Sequence, residues 1–201
     1  SISDEEATPL NCGVATMIAV IESAEIKIGD SVVIQGLGLL GLYGCAIAKA
    51  NGAGMVIGLD SVDDRLNISK KFGAVEYINV SNISEQEVVQ RVKELCPPDG
   101  ADVVIEVCGQ PSVIPTGIEM LRTGGTYVIG GLVSPDAMLT IDGNSILKKM
   151  LTIKGIHNYH PRHLIRALDF VMSNKDRFPF AEIVDSKFSL DQIDTAFEKA
   201  A

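Results

Sequence analysis

The sequence has little positive charge and no long hydrophobic run. Its 17 lysine and arginine residues stand against 26 aspartate and glutamate residues, so the formal net charge is −9 at neutral pH, and the basic residues form no cluster. An acidic chain without a basic patch is a poor partner for nucleic acid or an anionic membrane. No stretch of the sequence reaches the roughly 18 consecutive apolar residues of a membrane-spanning helix. We therefore expect neither nucleic acid nor a membrane among its partners.

Cysteine is also scarce. The four cysteines, Cys12, Cys45, Cys96 and Cys108, are scattered and form no CxxC pair. This spacing does not fit a dense disulfide framework and favours reduced thiols. The first residues also lack the charged, apolar and small segments that mark a secretion signal. Together these absences predict a cytoplasmic protein.

What the sequence does contain is an alternation of short apolar runs and helix-like segments. The runs are continuous, which indicates strands covered on both faces, as in a parallel sheet between helices. Right-handed crossovers between such strands give a doubly wound α/β fold. The predicted strands are residues 31–35, 55–60, 75–80, 101–107, 125–131 and 150–157, and the predicted helices are 39–51, 62–72, 84–95, 111–121 and a last helix from residue 162.

The stretch VVIQGLGLLGLYG, residues 32–44, combines a strand with a glycine-rich helix start. Glycine inside a helix costs about 1 kcal/mol relative to alanine, so this cluster needs a reason. In a dinucleotide-binding turn, Gly36 permits the sharp bend, Gly38 lets the backbone approach a pyrophosphate, and Gly41 lets the helix pack on the sheet. Free amides at the helix start, where Leu39 and Leu40 lie, would then face the phosphates.

Asp60 ends the next predicted strand, about twenty residues after the glycines, where the dinucleotide fingerprint places an acidic residue. A carboxylate there accepts hydrogen bonds from the ribose hydroxyls and repels a 2′-phosphate, which favours NAD over NADP. Arg65, five residues on, could instead tolerate a phosphate, or could be a solvated helix residue beside Asp63 and Asp64. The sequence predicts NAD as the cofactor, with NADP left open.

Several segments, taken in order, resemble the zinc-dependent medium-chain alcohol dehydrogenases. They are NCGVATMIAV, IKIGDSVVIQGLGLLG, IGLDSVDDRLNISKKFGA, GADVVIEVCG, LRTGGTYVIGG, LTIKGIHNY and FSLDQIDTAFEKA. The resemblance implies a six-stranded Rossmann sheet that forms the coenzyme half of an enzyme acting on an alcohol or carbonyl compound. Hydride would pass between alcohol and nicotinamide while a catalytic zinc polarises the substrate oxygen. The stretches ATPLNC and GIHNYHPRHL are also faintly similar to dehydrogenases linked to phosphonate catabolism.

The resemblance also implies roles for single residues. Cys12 matches the third ligand of the catalytic zinc, with a small buried residue as the alternative interpretation. Thr16 matches a position beside the nicotinamide, with an ordinary helix residue as the alternative. The turn over the adenosine ribose is matched by Val107, Cys108 and Gly109. Positions that hold the carboxamide are matched by Gly130, Gly131, Leu132, Ile156 and Asn158.

Other parts of the family pattern have no counterpart in this sequence. The remaining zinc ligands, the proton relay and a four-cysteine lobe are missing, so we expect no catalytic residue and a longer parent enzyme. Residues 1–20 would cross from an absent catalytic domain, 21–157 would form the NAD-binding domain, and 158–201 would be a helical return segment that ends early. The chain alone would bind NAD weakly, hold no zinc and turn over nothing. Apolar residues between 12 and 18 would be unusually exposed.

The three histidines, His157, His160 and His163, have a spacing that resembles a metal site. Because Pro161 disfavours helix at the residue before it, we interpret them instead as histidines of a loop that enters a helix at Arg162.

The sequence KMLTIKGI, residues 149–156, predicts a sheet edge that could pair in a homodimer or homotetramer, unless its lysines prevent such pairing.

Three alternative functions remain. A zinc-independent, NADPH-dependent quinone reductase is opposed by Cys12 and Asp60. A methyltransferase that uses S-adenosylmethionine is opposed by Gln35, where an acidic residue is usual. A non-catalytic NAD sensor stays open.

Overall fold

The structure is a computed structural model that describes residues 1–135 and 137–200. Its strands form one parallel sheet in the order β3-β2-β1-β4-β5-β6. The chain starts at the sheet centre, winds to one edge, returns beside β1 and winds to the other edge, which confirms the doubly wound prediction. The strands are β1 (Ser31–Gln35), β2 (Met55–Asp60), β3 (Glu76–Asn79), β4 (Ala101–Glu106), β5 (Leu121–Ile129) and β6 (Thr152–Gly155).

Helices connect and cover these strands. A π-helical turn (Leu10–Val14) leads into the second helix, and short 3₁₀ turns span Lys70–Phe72, Phe180–Ile183 and Leu190–Gln192. The α-helices are α1 (Asp4–Ala7), α2 (Ala15–Ala24), α3 (Leu39–Ala50), α4 (Asp63–Ser69), α5 (Glu85–Leu95), α6 (Val113–Met120), α7 (Gly143–Lys149), α8 (Pro161–Asn174) and α9 (Ile193–Ala200).

Two hydrophobic layers lie on opposite faces of the sheet. Val32 and Ile34 of β1 belong to the layer shared with α2, α3 and α8, whereas Val33 belongs to the layer shared with α5 and α6. Successive residues of a strand point to opposite faces, so a strand that is apolar at every position needs cover on both sides. This arrangement explains the continuous apolar runs of the central strands.

The element boundaries differ from the predicted ones mainly in β5 and near α7. β5 begins at Leu121 rather than at residue 125, because Leu121 pairs with Ala101 before the register shifts and pairing resumes between Val103 and Thr126. α7 was not predicted, and it contains no buried residue that would give an apolar period. Its start is instead fixed by Asp142, whose side chain accepts the first free amides of the helix.

The prediction that apolar residues between 12 and 18 are exposed is wrong. Val14, Ala15 and Met17 are fully buried because α2 is packed between the sheet and α8. The large apolar side chains that are exposed lie at other places along the chain and include Ile28, Met138 and Phe197.

One helical stretch, Asp4–Ala24, is long and apolar enough to cross a membrane by length and composition. In its most apolar window 56% of the residues are buried inside the structure. Val20 and Ile21 in this stretch are core residues packed against the sheet. The stretch therefore has the character of a core helix.

Candidate functional site

The glycine-rich turn between β1 and α3 has two positions where the fold requires glycine and one position where a side chain would meet open space. Gly36 has a φ of +96°, and a Cβ there would lie 2.6 Å from the Cβ of Cys108. A Cβ on Gly41 would lie 1.8 Å from the carbonyl oxygen of Gly36, so α3 could not pack as closely on the turn. A Cβ on Gly38 would meet nothing within 4 Å. The backbone at Gly38 is thus open to a ligand.

α3 begins directly behind this opening. Its N-cap is Gly38, which has no side chain to accept the first amides of the helix. The first amides of a helix have no partner within the helix, and the helix dipole makes this end attractive to anions. Leu39 and Leu40 occupy the first two helical positions. Their backbone N–H groups are therefore suited to bind phosphate.

Asp60 joins the glycine turn to the end of β2. Its Oδ2 accepts the backbone N–H of Leu37 at 2.7 Å, and its Oδ1 accepts the N–H of Val62 at 3.0 Å. Arg65, on α4, places Nη1 3.8 Å from Oδ2 of Asp60. Asp60 is 7% exposed, whereas more than half of the Arg65 side chain is accessible. The carboxylate of Asp60 is therefore held by two backbone N–H groups, and the guanidinium of Arg65 is its accessible neighbour.

The turns after neighbouring strands contact one another along the carboxyl edge of the sheet. Gly36 touches Cys108 in the turn after β4, and a Cβ on Gly109 would lie 3.1 Å from the carbonyl oxygen of Gly131 in the turn after β5. A Cβ on Gly130 would lie 3.1 Å from Val20 of α2, the helix that carries Thr16. The predicted site residues of four elements thus form a continuous path.

An open cleft of about 440 Å³ lies at this edge, and we refer to it as the carboxyl-edge cleft. Four of the predicted residues line it, namely Gly36, Asp60, Arg65 and Cys108. Burial raises the pKa of the Cys108 thiol to about 11, so the thiol is protonated near neutral pH. The other lining residues are Gln35, Leu59, Ser61, Val80, Ile83, Glu85, Val88, Gln110, Ser112, Val113 and Thr116.

Sequence reasoning missed most of these lining residues as site residues. Val80 and Gln110 follow the carboxyl ends of β3 and β4, which is the signal that could have identified them. Gln35 ends β1 and carries the same signal, whereas Thr116 lies inside α6 and has no such signal in the sequence. Gln35 is buried, accepts a hydrogen bond from Tyr127 and donates one to the carbonyl of Val113.

The residues predicted for the nicotinamide end of the cofactor lie outside this cleft, as does Val107, which was predicted for the turn over the adenosine ribose. Val107 is half-buried in the turn after β4, and Gly130 and Leu132 are half-buried in the turn after β5. The backbone N–H of Ile156 donates to the carbonyl of Ile129 and so extends the hydrogen bonding between β5 and β6. Asn158 has a φ of +58°. Ile156 and Asn158 line a second cavity of about 490 Å³ between β6, α2 and the start of α8.

Cys12 is exposed on the π-helical turn that precedes α2. The next residue, Gly13, contacts Leu39 at the start of α3, and the Tyr159 hydroxyl donates to the carbonyl of Asn11. Cys12 therefore lies between the glycine turn and the loop that carries Asn158. Within the described residues, histidine, cysteine and acidic side chains form no group of three that could hold a metal. The chain thus offers one candidate zinc ligand rather than a complete site.

The three histidines do not form one loop cluster, and for His163 the loop interpretation is wrong. His160 caps α8, where its Nδ1 accepts the N–H of Arg162. His163 lies inside α8 and is buried, with Nε2 3.3 Å from a carboxylate oxygen of Glu22 on α2. Helix packing thus explains His163 without a metal.

Comparison with known proteins shows the family to which this chain belongs. Residues 40–173 match the family model for zinc-binding dehydrogenases. This chain belongs to the zinc-binding dehydrogenase family. The match includes α3 from Leu40 onward, Asp60 and the turns after β4, β5 and β6, so the family assignment covers most of the candidate site.

Two curated relatives illustrate the range of this dehydrogenase family. A probable D-xylulose reductase A from Aspergillus clavatus is 39% identical over 166 residues, which are 81% of this chain and 45% of that protein. A 5-exo-hydroxycamphor dehydrogenase from Pseudomonas putida is 29% identical over 195 residues, covering 96% of this chain and 54% of that protein. The chain spans about half the length of these relatives.

Solved dehydrogenase structures have the same fold. An alcohol dehydrogenase from Thermotoga maritima superposes with a TM-score of 0.91 at 26% identity, over 98% of this chain and 55% of that one. A benzyl alcohol dehydrogenase from Acinetobacter calcoaceticus gives a TM-score of 0.88 at 27% identity, over 100% of this chain and 54% of that one. The fold predicted from the sequence is therefore confirmed.

Proposed function

We propose that this chain is the NAD(H)-binding part of a zinc-dependent alcohol dehydrogenase. The observation that carries the proposal is the open backbone at Gly38, set between the free amides of α3 and the buried carboxylate of Asp60. A dinucleotide needs a backbone turn that its pyrophosphate can approach closely and a hydrogen-bond acceptor for its adenosine ribose. In this fold the two features lie at the ends of adjacent strands. Bound NAD supplies the hydride acceptor of an alcohol oxidation.

The protein's part in this chemistry is to bind and orient. Amides at the start of α3 would hold the pyrophosphate, Asp60 would accept the ribose hydroxyls, and the turn at Cys108 would lie over that ribose. The turn at Gly130 and Leu132, with Ile156, Asn158 and Thr16, would direct the nicotinamide towards the substrate. The proposal is supported by the contacts that join the turns at Gly36, Cys108 and Gly131 along the carboxyl edge.

We favour NAD over NADP because Asp60 is fixed by two backbone N–H groups at the end of β2. A 2′-phosphate would bring like charge to this buried carboxylate. The opposing observation is the accessible guanidinium of Arg65. A related zinc-binding dehydrogenase from Sinorhizobium meliloti, 26% identical, has been solved bound to NADP. NADP is therefore the competitor that the experiment must include.

Zinc enters the proposal through Cys12 alone. A thiolate is a good zinc ligand, and a catalytic zinc needs three protein ligands with one open position. Among the described residues no group of three histidine, cysteine or acidic side chains could hold a metal, so we propose that the other ligands belong to a part of the protein beyond this chain.

The whole protein would act on a small alcohol or carbonyl compound in the cytoplasm, as a homodimer or homotetramer joined at the β6 edge. Lys149 donates to three carbonyls around the end of α6, and Lys154 pairs with Glu25. The ammonium groups of these two lysines are thus bound by partners within the chain.

We propose that residues 1–20 form the crossover segment, residues 21–157 the NAD-binding domain and residues 158–201 the return segment.

Calorimetry on the folded 201-residue chain tests the proposal. We expect NADH to bind with a dissociation constant at or below the millimolar range, tighter than NADPH, and S-adenosylmethionine to release no heat. Tighter binding of NADPH would point to the quinone reductase alternative. No binding of either nicotinamide nucleotide would refute the proposal. A sensor and an enzyme are separated by assaying alcohol oxidation with the full-length protein.

A further inference from the structure

The side chain of Glu106 is fully buried at the end of β4, between two turns of the proposed NAD site. Its Oε1 accepts the N–H of Gly109 at 2.6 Å, and its Oε2 accepts the N–H of Gly131 at 3.1 Å. Gly109 lies in the turn proposed to cover the adenosine ribose, and Gly131 lies in the turn proposed for the carboxamide. One carboxylate therefore links the turns at the two ends of the cofactor.

The surroundings of Glu106 show that this link is closely fitted. A Cβ on Gly131 would lie 2.6 Å from Oε1 of Glu106 and 2.7 Å from the nitrogen of Gly109, so only glycine allows this approach. Burial, together with the nearby Glu106 carboxylate, raises the pKa of the Cys108 thiol to about 11. Among the described residues, no lysine or arginine forms an ion pair with Glu106. A buried carboxylate without a cation depends on such donors, and losing one is costly.

We propose that Glu106 is a positioning residue that couples the adenosine turn to the nicotinamide turn, and this proposal rests on the proposed NAD site. When the adenosine end of the cofactor orders the turn at Gly109, the carboxylate is held in place and Gly131 is held with it. The nicotinamide turn is thereby set before the nicotinamide reaches it. Preorganisation of this kind raises affinity by lowering the entropy that binding must remove.

The first test needs no variant. ADP carries the adenosine and the diphosphate but no nicotinamide, so it fills only the glycine turn and the Asp60 side of the site. We expect saturating ADP to slow hydrogen exchange of the Gly131 amide at least threefold in NMR spectra of the ¹⁵N-labelled chain, together with that of Gly109. ADP binding that leaves Gly131 exchange unchanged overturns the coupling and spares the proposed NAD site. No binding of ADP or NADH overturns both.

The second test uses Glu106→Gln. The amide of glutamine has one acceptor oxygen, which we expect to keep the shorter, local bond to Gly109, so the bond to Gly131 is lost. Hydrogen bonds to charged groups are strong enough that NADH affinity should fall about tenfold, while ADP affinity should stay within about threefold. In this variant ADP should no longer slow Gly131 exchange.

Tyr127→Phe is the matched control. It removes a buried hydrogen bond from β5 across β4 to Gln35 of β1 and leaves both Glu106 bonds in place. We expect the ratio of NADH to ADP affinity to be unchanged in this control. Equal loss of NADH and ADP affinity in Glu106→Gln, or Gly131 protection that persists in it, would mean that Glu106 only supports the fold.

Discussion

The carboxylate of Asp60 accepts the backbone N–H of Leu37 at 2.7 Å, which joins the end of β2 to the glycine turn after β1. The same side chain lines the carboxyl-edge cleft beside Arg65. Asp60 therefore shapes the turn proposed for the pyrophosphate while presenting an acceptor to the ribose. These two tasks are performed by one buried residue, so changing it should alter affinity for the whole dinucleotide.

Asp60→Asn is expected to narrow the preference for NADH over NADPH. The asparagine has one acceptor and no charge, so the repulsion of a 2′-phosphate is removed and one bond to the ribose or to Leu37 is weakened. We expect NADH affinity to fall about tenfold and NADPH affinity to change little. Isothermal titration with both nucleotides measures the ratio. Asp64→Asn removes the same charge from exposed α4 and should leave the ratio unaltered; a preference that survives in Asp60→Asn contradicts the assigned role.

Gly38→Ala and Gly41→Ala are expected to separate binding from folding. The backbone at Gly38 is extended with φ −68°, and a Cβ there meets open space, so alanine should keep the melting temperature within about 2 °C. The methyl group would nevertheless occupy the proposed pyrophosphate approach, and NADH affinity should fall at least about tenfold.

In Gly41→Ala the new Cβ collides with the backbone of Gly36, and we expect a loss of stability of about 3 kcal/mol or more. Thermal unfolding and NADH titration of both variants distinguish these effects. Normal NADH binding by a folded Gly38→Ala variant would place the pyrophosphate elsewhere.

Thiol labelling should divide the four cysteines into two classes. Cys12 and Cys108 are exposed, whereas Cys45 and Cys96 are buried, and burial raises the pKa of Cys45 to about 12. We expect two thiols to react in the folded chain and four after unfolding. Because Cys108 lines the cleft, saturating NADH should slow its labelling and leave that of Cys12 unchanged, as peptide mapping would show. Equal protection of both thiols, or of neither, contradicts this arrangement.

The rate at which Cys108 reacts should also depend steeply on pH. The reactive form is the thiolate, and burial raises the pKa of Cys108 to about 11, so the rate should still be increasing at pH 10. Stopped-flow labelling of a Cys12→Ser variant isolates this thiol. A rate that levels off near pH 8 would mean that the surroundings of Cys108 do not raise the pKa of its thiol.

Asp102 lies at the edge of the sheet opposite the carboxyl-edge cleft. We expect its carboxylate to make the stability of the chain depend on pH in the acid range. Burial alone would raise the pKa of Asp102, but hydrogen bonds from Ser31 and the ion pair with Arg122 outweigh it and lower the pKa below its ordinary value of 3.8. A lowered pKa in the folded state means that the stabilisation is complete above about pH 4 and is lost as the pH falls through the folded value.

Asp102→Asn should therefore lower the free energy of unfolding by about 1–2 kcal/mol at pH 7, with part of the effect screened by solvent. The difference from the unaltered chain should shrink towards pH 2, as urea unfolding at both pH values would measure. Asp185→Asn, at a solvent-exposed position, is the control and should change stability little. A pH-independent difference would show that Asp102 acts through packing and not through its charge.

Much of this fold follows from local pattern. The continuous apolar runs predict buried parallel strands because each residue of β1 must find cover on one of two faces. The Ser84–Glu87 pair fixes the start of α5 by a reciprocal capping box, which is also local. Elements without an apolar period were missed, as α7 shows, since its start depends on a polar cap and none of its residues is buried.

The sequence by itself determined the order of strands and helices and the positions of Gly36, Gly38, Gly41 and Asp60, because spacing along the chain is enough for a strand–turn–helix motif. Only the tertiary structure decided that Glu106 touches both Gly109 and Gly131, and that α2 is buried beneath α8. These relationships join segments that are distant in sequence, and their cost or benefit depends on burial and close approach. Neither quantity exists until the strands have paired and the helices have covered them.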